Sequence, residues 1–379
     1  MKTINFPKIL SIQTTSLCNA SCVFCPYQDI KNLFPKQIMD LDLYARIIDE
    51  SNSYKHIERI IVYMNNEPLT DPHLIERINY AKEKVPWASV HILTNGSLLT
   101  EELSQDLINS KLDWIGFSLH GIEKRTIEKA MGLPYERTFK MVNRFIEKAK
   151  TKKSIENYIM LTFLKHQYLS IDEKSEAVKY WQDRGIKRIS YFDGPISRAG
   201  NVKNLPQVKH TEVKGCNSIW WDKMIHIVEN GDVILCCMDW RREVKLGNLR
   251  KQSIYEIWNG KIYQNVRKMV YGEKDSPENF ICKRCEQAKL GIEKKDFNVR
   301  KKNPNILLVI CPSWGINTPP LGLASISSYL KNRGIDVEIL DLNIEIYHRV
   351  SLKLKKMWEM DSSYLWWISS LFIKKSNLY

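Results

Sequence analysis

Nowhere in these 379 residues is there a run of about 18 apolar side chains, so no segment reads as a helix that crosses a membrane. The opening stretch MKTINFPKIL is too short and too mixed in character for a secretory signal. Blocks of lysine or arginine interleaved with aromatic residues are missing too, which removes the usual footprint of a nucleic-acid binder. Cysteine is sparse and unevenly placed: nine residues in all, with none between Cys25 and Cys216. Without an export signal the expected address is the cytoplasm, a reducing compartment where clustered thiols serve metal sites or catalysis rather than disulfides.

The bulk composition is ordinary for a soluble globular protein, 44% hydrophobic and 26% charged. The length allows one large or two modest cores. Basic residues outnumber acidic ones by 57 to 43, a formal net charge of +14. Most of the excess is dispersed lysine, a solvated surface that would also attract an acidic protein partner.

From about residue 8 to 195, short β-branched runs alternate with longer amphipathic stretches. The runs are ILSIQTT, RIIVYM, SVHILTNG, DWIGFSLHG, NYIMLTFL and IKRISYFDG. Between them LDLYARIIDES, PHLIERINYAKEKV, TEELSQDLINS and SIDEKSEAVKYWQDRG space their apolar residues three and four apart. Six strand-then-helix units in series imply a parallel sheet, because each parallel crossover needs a helix. They are too few to close an eight-stranded barrel, so the expected α/β fold is an open, partial (β/α)6 barrel.

Three thiols, Cys18, Cys22 and Cys25, crowd the stretch SLCNASCVFCPYQ, separated by three and then two residues. The stretch follows the first strand, so it falls at the C-terminal sheet edge where such folds gather their chemistry. A structural zinc site wants four closed ligands. A cubane iron–sulfur cluster has four irons, each normally held by one thiolate. Three thiolates on one loop would leave one iron open to a small chelating molecule.

Cys18-Asn-Ala-Ser-Cys22-Val-Phe-Cys25 resembles the cluster motif of the radical S-adenosylmethionine (SAM) superfamily, including the aromatic Phe24 before the last cysteine. The resemblance implies a 4Fe-4S cluster whose unique iron binds the amino and carboxylate groups of SAM. Reductive cleavage of SAM then yields a 5′-deoxyadenosyl radical that abstracts hydrogen. MNNEPLTDP, at the end of the second strand, is similar to the family's Gly-Gly-Glu-Pro motif, with Asn65 and Asn66 in place of the glycines and Glu67 and Pro68 kept. Glu67 would accept charge-assisted hydrogen bonds from the SAM ammonium. Thr94 and Asn95 of LTNG, and Ser118 of FSLHG, resemble positions flanking the methionyl and ribose groups. The backbone of Phe24 would lie near the adenine. His120 is read as a hydrogen-bonded loop residue, and the arginines of YERTFKMVNR as helix surface.

Residues 205 to 295 lose the strand–helix rhythm. MIHIVENGDVILCCMDW reads as a hairpin with its turn at Asn230-Gly231. Cys216, Cys236 or Cys237, Cys282 and Cys285 give four plausible thiolates, and LGNLRKQSIYEIWNG lies between them. The set resembles the auxiliary-cluster domain called SPASM or, when shortened, Twitch. One auxiliary 4Fe-4S cluster is implied, with Gly231 and its spacing favouring Cys236 as second ligand and Cys237 as the other choice. Zinc held by four thiolates is the alternative.

From Asn303 a new unit begins: NILLVICP as a strand, LGLASISSYLKNRG as a helix ended by Gly334, DVEILDLN as a second strand. It resembles the opening of a cobalamin-binding domain, an incomplete Rossmann-like βαβ unit that is not expected to bind cobalamin. Cys311 reads as a buried apolar residue, and YLWWISSLFI as an orphaned core segment.

The expected division is a radical SAM core over residues 1–204, an auxiliary-cluster domain over 205–297 and a partial cobalamin-binding-like segment over 298–379. The expected function is a radical SAM enzyme acting first on a peptide, and second on a small molecule such as a sugar alcohol, by oxidation. Its partners would be that substrate and an electron donor such as flavodoxin or ferredoxin. A non-catalytic zinc-binding protein is the alternative of another class.

Overall fold

The computed structural model describes residues 5–192, 196–218, 221–290, 306–310 and 321–341. Cys311 and the apolar stretch 364–373 lie outside the described residues. The chain divides into two compact units, residues 1–291 and 292–379.

In the first unit six strands run in chain order: β1 (Ile9–Ile12), β2 (Arg59–Ile61), β3 (Ser89–Thr94), β4 (Trp114–Ser118), β5 (Ile159–Leu164) and β6 (Arg188–Phe192). Each pairs in parallel with the next. A helix returns the chain across each crossover, as parallel pairing requires. The helices Leu41–Ser51, Leu74–Lys84, Glu101–Asn109 and Ile171–Gln182 fall on the four stretches whose spacing announces them.

Their starts are built from the sequence. Asp40, Thr100 and Ser170 each accept a backbone N–H three residues ahead, a cap worth about 1 kcal/mol. Alternation within the strands then sorts the sheet faces. Leu10, Ile60, Val90, Ile115, Leu161 and Phe163 are buried in the core that also takes Ile47, Ile78, Leu107, Phe145 and Trp181 from the helices. The opposite face carries small or polar positions: Ser11, His91, Gly116, Ser118 and Thr162.

The cysteine-rich segment does not build a sheet of its own. Its first strand, β7 (Met224–Ile227), pairs in parallel with β1, and β8 (Asp232–Ile234) and β9 (Lys245–Asn248) follow antiparallel, giving a nine-stranded sheet. The hairpin turns at Asn230-Gly231 as the sequence implies, with Gly231 in the left-handed region at φ 89°. Ile225 and Ile227 are fully buried, so burial beside β1 draws this strand into the barrel sheet. The helix Ile254–Asn259 opens with a complete capping box between Ser253 and Glu256, and its Trp258 enters the same core.

In the second unit β10 (Ile306–Ile310) and β11 (Val337–Asp341) pair in parallel, joined through the helix Leu321–Lys331. Gly334 adopts φ 75° before the second strand. Among the described residues no helix is long and apolar enough to cross a membrane.

Candidate functional site

The first thiol loop leaves β1 and is pinned from three sides. Tyr27 accepts the Cys18 backbone N–H at 2.8 Å and donates its hydroxyl to the Ser16 carbonyl at 3.2 Å. Ser21 and Val23 donate backbone N–H groups to the Met131 and Ala130 carbonyls, at 2.8 and 2.9 Å. Gly132, in the left-handed region at φ 65°, ends the helix Lys124–Met131 that carries those two carbonyls, and a Cβ there would stand 1.9 Å from Ser21 Oγ. Asn19 reaches the end of β3, accepting from Asn95 Nδ2 at 2.9 Å and donating to Ser97 Oγ at 2.8 Å. Between the cysteines the backbone folds tightly, Cys25 N–H onto the Cys22 carbonyl at 3.1 Å.

Burial raises all three thiols. Cys18 is pushed up to about 12 and Cys22 and Cys25 are also raised, while the Arg198 guanidinium works against burial at the last two. Buried thiols of this kind stay protonated until a metal displaces the protons. The donor set fits three corners of a cubane: three sulfurs from one loop, with no fourth cysteine between Cys25 and Cys216.

Glu67 stands beside the loop, its backbone N–H on the Leu17 carbonyl at 2.8 Å. Its carboxylate is fully enclosed. It accepts from Thr94 Oγ1 at 2.5 Å, Asn95 N–H at 2.8 Å and Leu69 N–H at 3.0 Å. Burial pushes the carboxyl up to about 7 in spite of these three donors. A carboxylate has about four acceptor positions, so one remains for a cationic ligand. Asn66 accepts from the Met64 N–H at 2.9 Å, and its buried Nδ2 has no hydrogen-bond partner among the described residues. Asn65 turns the other way, donating Nδ2 to the Cys237 carbonyl at 3.3 Å. Thus Glu67, Thr94 and Asn95 are brought together with the thiol loop. Ser118 ends β4 in register with Thr162 and joins none of these hydrogen bonds among the described residues.

Phe24 is buried and packs edge-on to His120 at 4.7 Å and stacked on His166 at 5.5 Å. His120 accepts the Leu164 N–H at 3.0 Å and is held neutral by burial, which fits its reading as a bonded loop residue. Beside this aromatic group lies a cleft of about 530 Å³ lined by Phe24, Leu164, Lys165, His166, Tyr168 and Ile196, among others.

The second thiol set assembles around Cys285. Electrostatic coupling links Cys236 to Cys237, Cys282 and Cys285, and Cys282 to Cys216. Burial raises each of these thiols, Cys285 to about 12. A bridge between Cys216 and Ala288 and the Cys285 N–H on the Cys282 carbonyl at 3.3 Å hold the ligand-bearing turns. Cys236 is half-buried and Cys237 exposed. Among the described residues no three His, Cys, Asp or Glu side chains converge at the spacing of a single metal ion. A cubane, being several atoms across, holds its thiolates further apart than one ion does.

Sequence reasoning missed Tyr27, Gly132 and Arg198. Tyr27 follows the motif directly and had a signal in its phenol. Gly132 and Arg198 reach the loop only through the fold.

Comparison with known proteins agrees with this arrangement. The chain matches the radical SAM superfamily over residues 12–173 and the SPASM iron–sulfur cluster-binding domain over residues 216–286. It is 22% identical over 287 residues to the S-adenosyl-L-methionine-dependent 2-deoxy-scyllo-inosamine dehydrogenase of Niallia circulans, covering 76% of this chain and 96% of that one. It is 24% identical to the tungsten-containing aldehyde ferredoxin oxidoreductase cofactor-modifying protein of Pyrococcus furiosus, covering 68% of this chain and 82% of that one. Its fold is similar to SuiB of Streptococcus suis, solved with the precursor peptide SuiA, at a TM-score of 0.56 and 16% identity over 76% of this chain and 77% of that one. SAM and iron–sulfur clusters are therefore its cofactors. The chain belongs to the radical SAM superfamily and is a radical SAM enzyme with a SPASM domain.

Proposed function

We propose that this enzyme oxidises a small hydroxylated molecule of the polyol or aminocyclitol class, seated in the cleft beside Phe24. The observation that carries this reading is the bounded cleft of about 530 Å³ bordering the first thiol loop, a volume suited to a small molecule. Support comes from the Niallia dehydrogenase, which the chain matches over 96% of its length. Cys18, Cys22 and Cys25 hold the SAM-binding cluster, and Cys216, Cys236, Cys282 and Cys285 hold one auxiliary 4Fe-4S cluster.

When bound, SAM and the two clusters would supply hydrogen-atom abstraction at the substrate carbon, with methionine and 5′-deoxyadenosine as products, and an acceptor for the electron that remains. The substrate hydroxyl would give its proton to water at the open side of the cleft by Lys165 and Gln167, and the product would leave as a ketone. Within the chain, Glu67 is held by three donors so that its last acceptor position meets the SAM ammonium. Phe24 presents its backbone to the adenine, and Asn66, Thr94, Asn95 and Ser118 line the remaining approach, while His166 is a fixed wall of the cleft, Nε2 donating to the His120 carbonyl at 2.6 Å and Nδ1 accepting the Tyr168 N–H at 3.2 Å. Residues 1–204 act as the radical core, 205–297 as the auxiliary segment and 298–379 as a partial cobalamin-binding-like unit. The excess positive charge attracts an acidic electron donor of the flavodoxin or ferredoxin kind.

Peptide modification is the second reading. The cleft is bordered by exposed Lys165 and Gln167, an open side along which a chain could continue. Anaerobic reconstitution, reduction and mass spectrometry separate the two. Transfer of deuterium from a carbon-deuterated polyol or aminocyclitol into 5′-deoxyadenosine supports oxidation. Transfer only from a deuterated peptide, with a changed peptide mass, overturns it.

A further inference from the structure

We propose that Arg198 is a positioning residue for the first iron site, held there by the segment that carries the second thiol set, and that its fixed positive charge raises the reduction potential of the first cluster. The inference rests on the reading that both thiol sets hold clusters.

Arg198 lies in the turn that follows β6. Arg198 and Ala199 both hold left-handed backbone, at φ 53° and 55°, an uncommon conformation for residues with side chains. The surrounding structure enforces it. Glu286, next to Cys285, accepts the backbone N–H of Ser197 and, at 3.3 Å, that of Ala199. Arg284 donates Nε to the Ala199 carbonyl at 3.0 Å, and Asn201 donates Nδ2 to the carbonyls of Arg198 at 2.7 Å and Met238 at 3.3 Å. The turn is thus fastened to residues on both sides of the second thiol set.

Its side chain points to the first set. Nε donates to the carbonyl of Phe24, the residue before Cys25, at 3.4 Å. The guanidinium carbon lies 5.8 Å from the centre of Trp240, which in turn packs with Tyr27 and Ile30 against Cys18 and Cys25. The guanidinium thereby stands beside the turn between Cys22 and Cys25. The side chain is half-buried, so solvent screens it less than a surface lysine.

Reduction adds negative charge to a cluster, and a nearby fixed cation stabilises that state. Surrounding charge is among the factors that set cluster potentials. A cation beside the first thiol loop therefore raises the potential of the cluster held there.

The test is an EPR-monitored redox titration of the holoenzyme, with iron and sulfide counted first. Arg198→Gln is expected to shift the first cluster to more negative potential and leave the second near wild type, and Arg198→Lys to leave both near wild type. Arg198→Met serves as a second neutral variant; failure of both neutral variants to load would overturn the role by making Arg198 purely structural. Fully loaded R198Q with the first cluster's potential unmoved overturns it, as does a shift in R198K equal to that in R198Q. Wild-type protein that assembles no cluster at the first set overturns the underlying function and the Arg198 role together, an outcome told apart by the iron count.

Discussion

Arg242 and Glu229 form a buried ion pair in which the guanidinium Nη2 donates to both carboxylate oxygens, at 2.8 and 2.9 Å. Glu229 follows β7 and also accepts from Gln13 Nε2 at 2.9 Å, while Gln13 Oε1 receives the Asn65 N–H at 3.2 Å. One carboxylate therefore fastens the end of β1, the turn after β2 and the loop after Cys236 and Cys237. Glu229→Gln leaves a buried guanidinium without its counter-charge. The expected loss is about 3–5 kcal/mol of stability, read as a lower urea midpoint.

Gly132 faces a different constraint. Its left-handed backbone and the 1.9 Å approach of Ser21 Oγ both exclude a side chain. Gly132→Ala is expected to cost about 1–3 kcal/mol and to displace the first thiol loop, lowering iron bound there. Adding Ser21→Gly relieves the collision but not the backbone strain, so partial recovery of thermal stability is expected. Full recovery would show that strain contributes nothing.

Stability should fall in acid. Burial holds His91, His120 and His226 neutral, pushing them down to about 2, 3 and 4, whereas a free histidine titrates near about 6.5. Between those values the unfolded chain binds more protons, so stability rises with pH and is lost as pH drops below about 6.5. Glu67, raised to about 7, runs the other way: its contribution is present at low pH and lost as pH rises through 7. Three rings outweigh one carboxyl. Denaturation midpoints of the metal-free protein should therefore decrease from about pH 7 to about pH 5. His91→Leu should flatten that decline, because neither His91 ring nitrogen has a hydrogen-bond partner among the described residues.

The two adjacent thiols should separate cleanly. Cys236 couples to Cys282 and Cys285, whereas Cys237 is exposed. Cys236→Ala is expected to lose about four irons per chain and Cys237→Ala to keep them, as counted by metal analysis of reconstituted protein. The reverse result would exchange their roles.

Much of this was legible in the residues. Strand runs such as SVHILT declare themselves by β-branched content, and LDLYARIIDES matches its helix residue for residue. The first cysteine triplet is local, so its spacing suffices to find it. Long-range adjacency was not legible. MIHI reads as half of a hairpin, and nothing in it tells that β1 is its other neighbour. Glu67 was readable as a polar residue at a strand end, but its three internal donors come from β3 and its own turn. Arg198 has no local signal at all, because its place depends on backbone strain imposed by Glu286 and Arg284, far along the chain.

The chain leaves β1 at Ile12, pairs one edge of it with β2, and does not reach its other edge until Met224. During synthesis β1 therefore gains β2 early and waits with one raw edge while the rest of the barrel emerges from the ribosome. Trp240, which covers Cys18 and Cys25, arrives later still. Until then the side of Cys18 and Cys25 that Trp240 covers stands open, and the returning segment closes it.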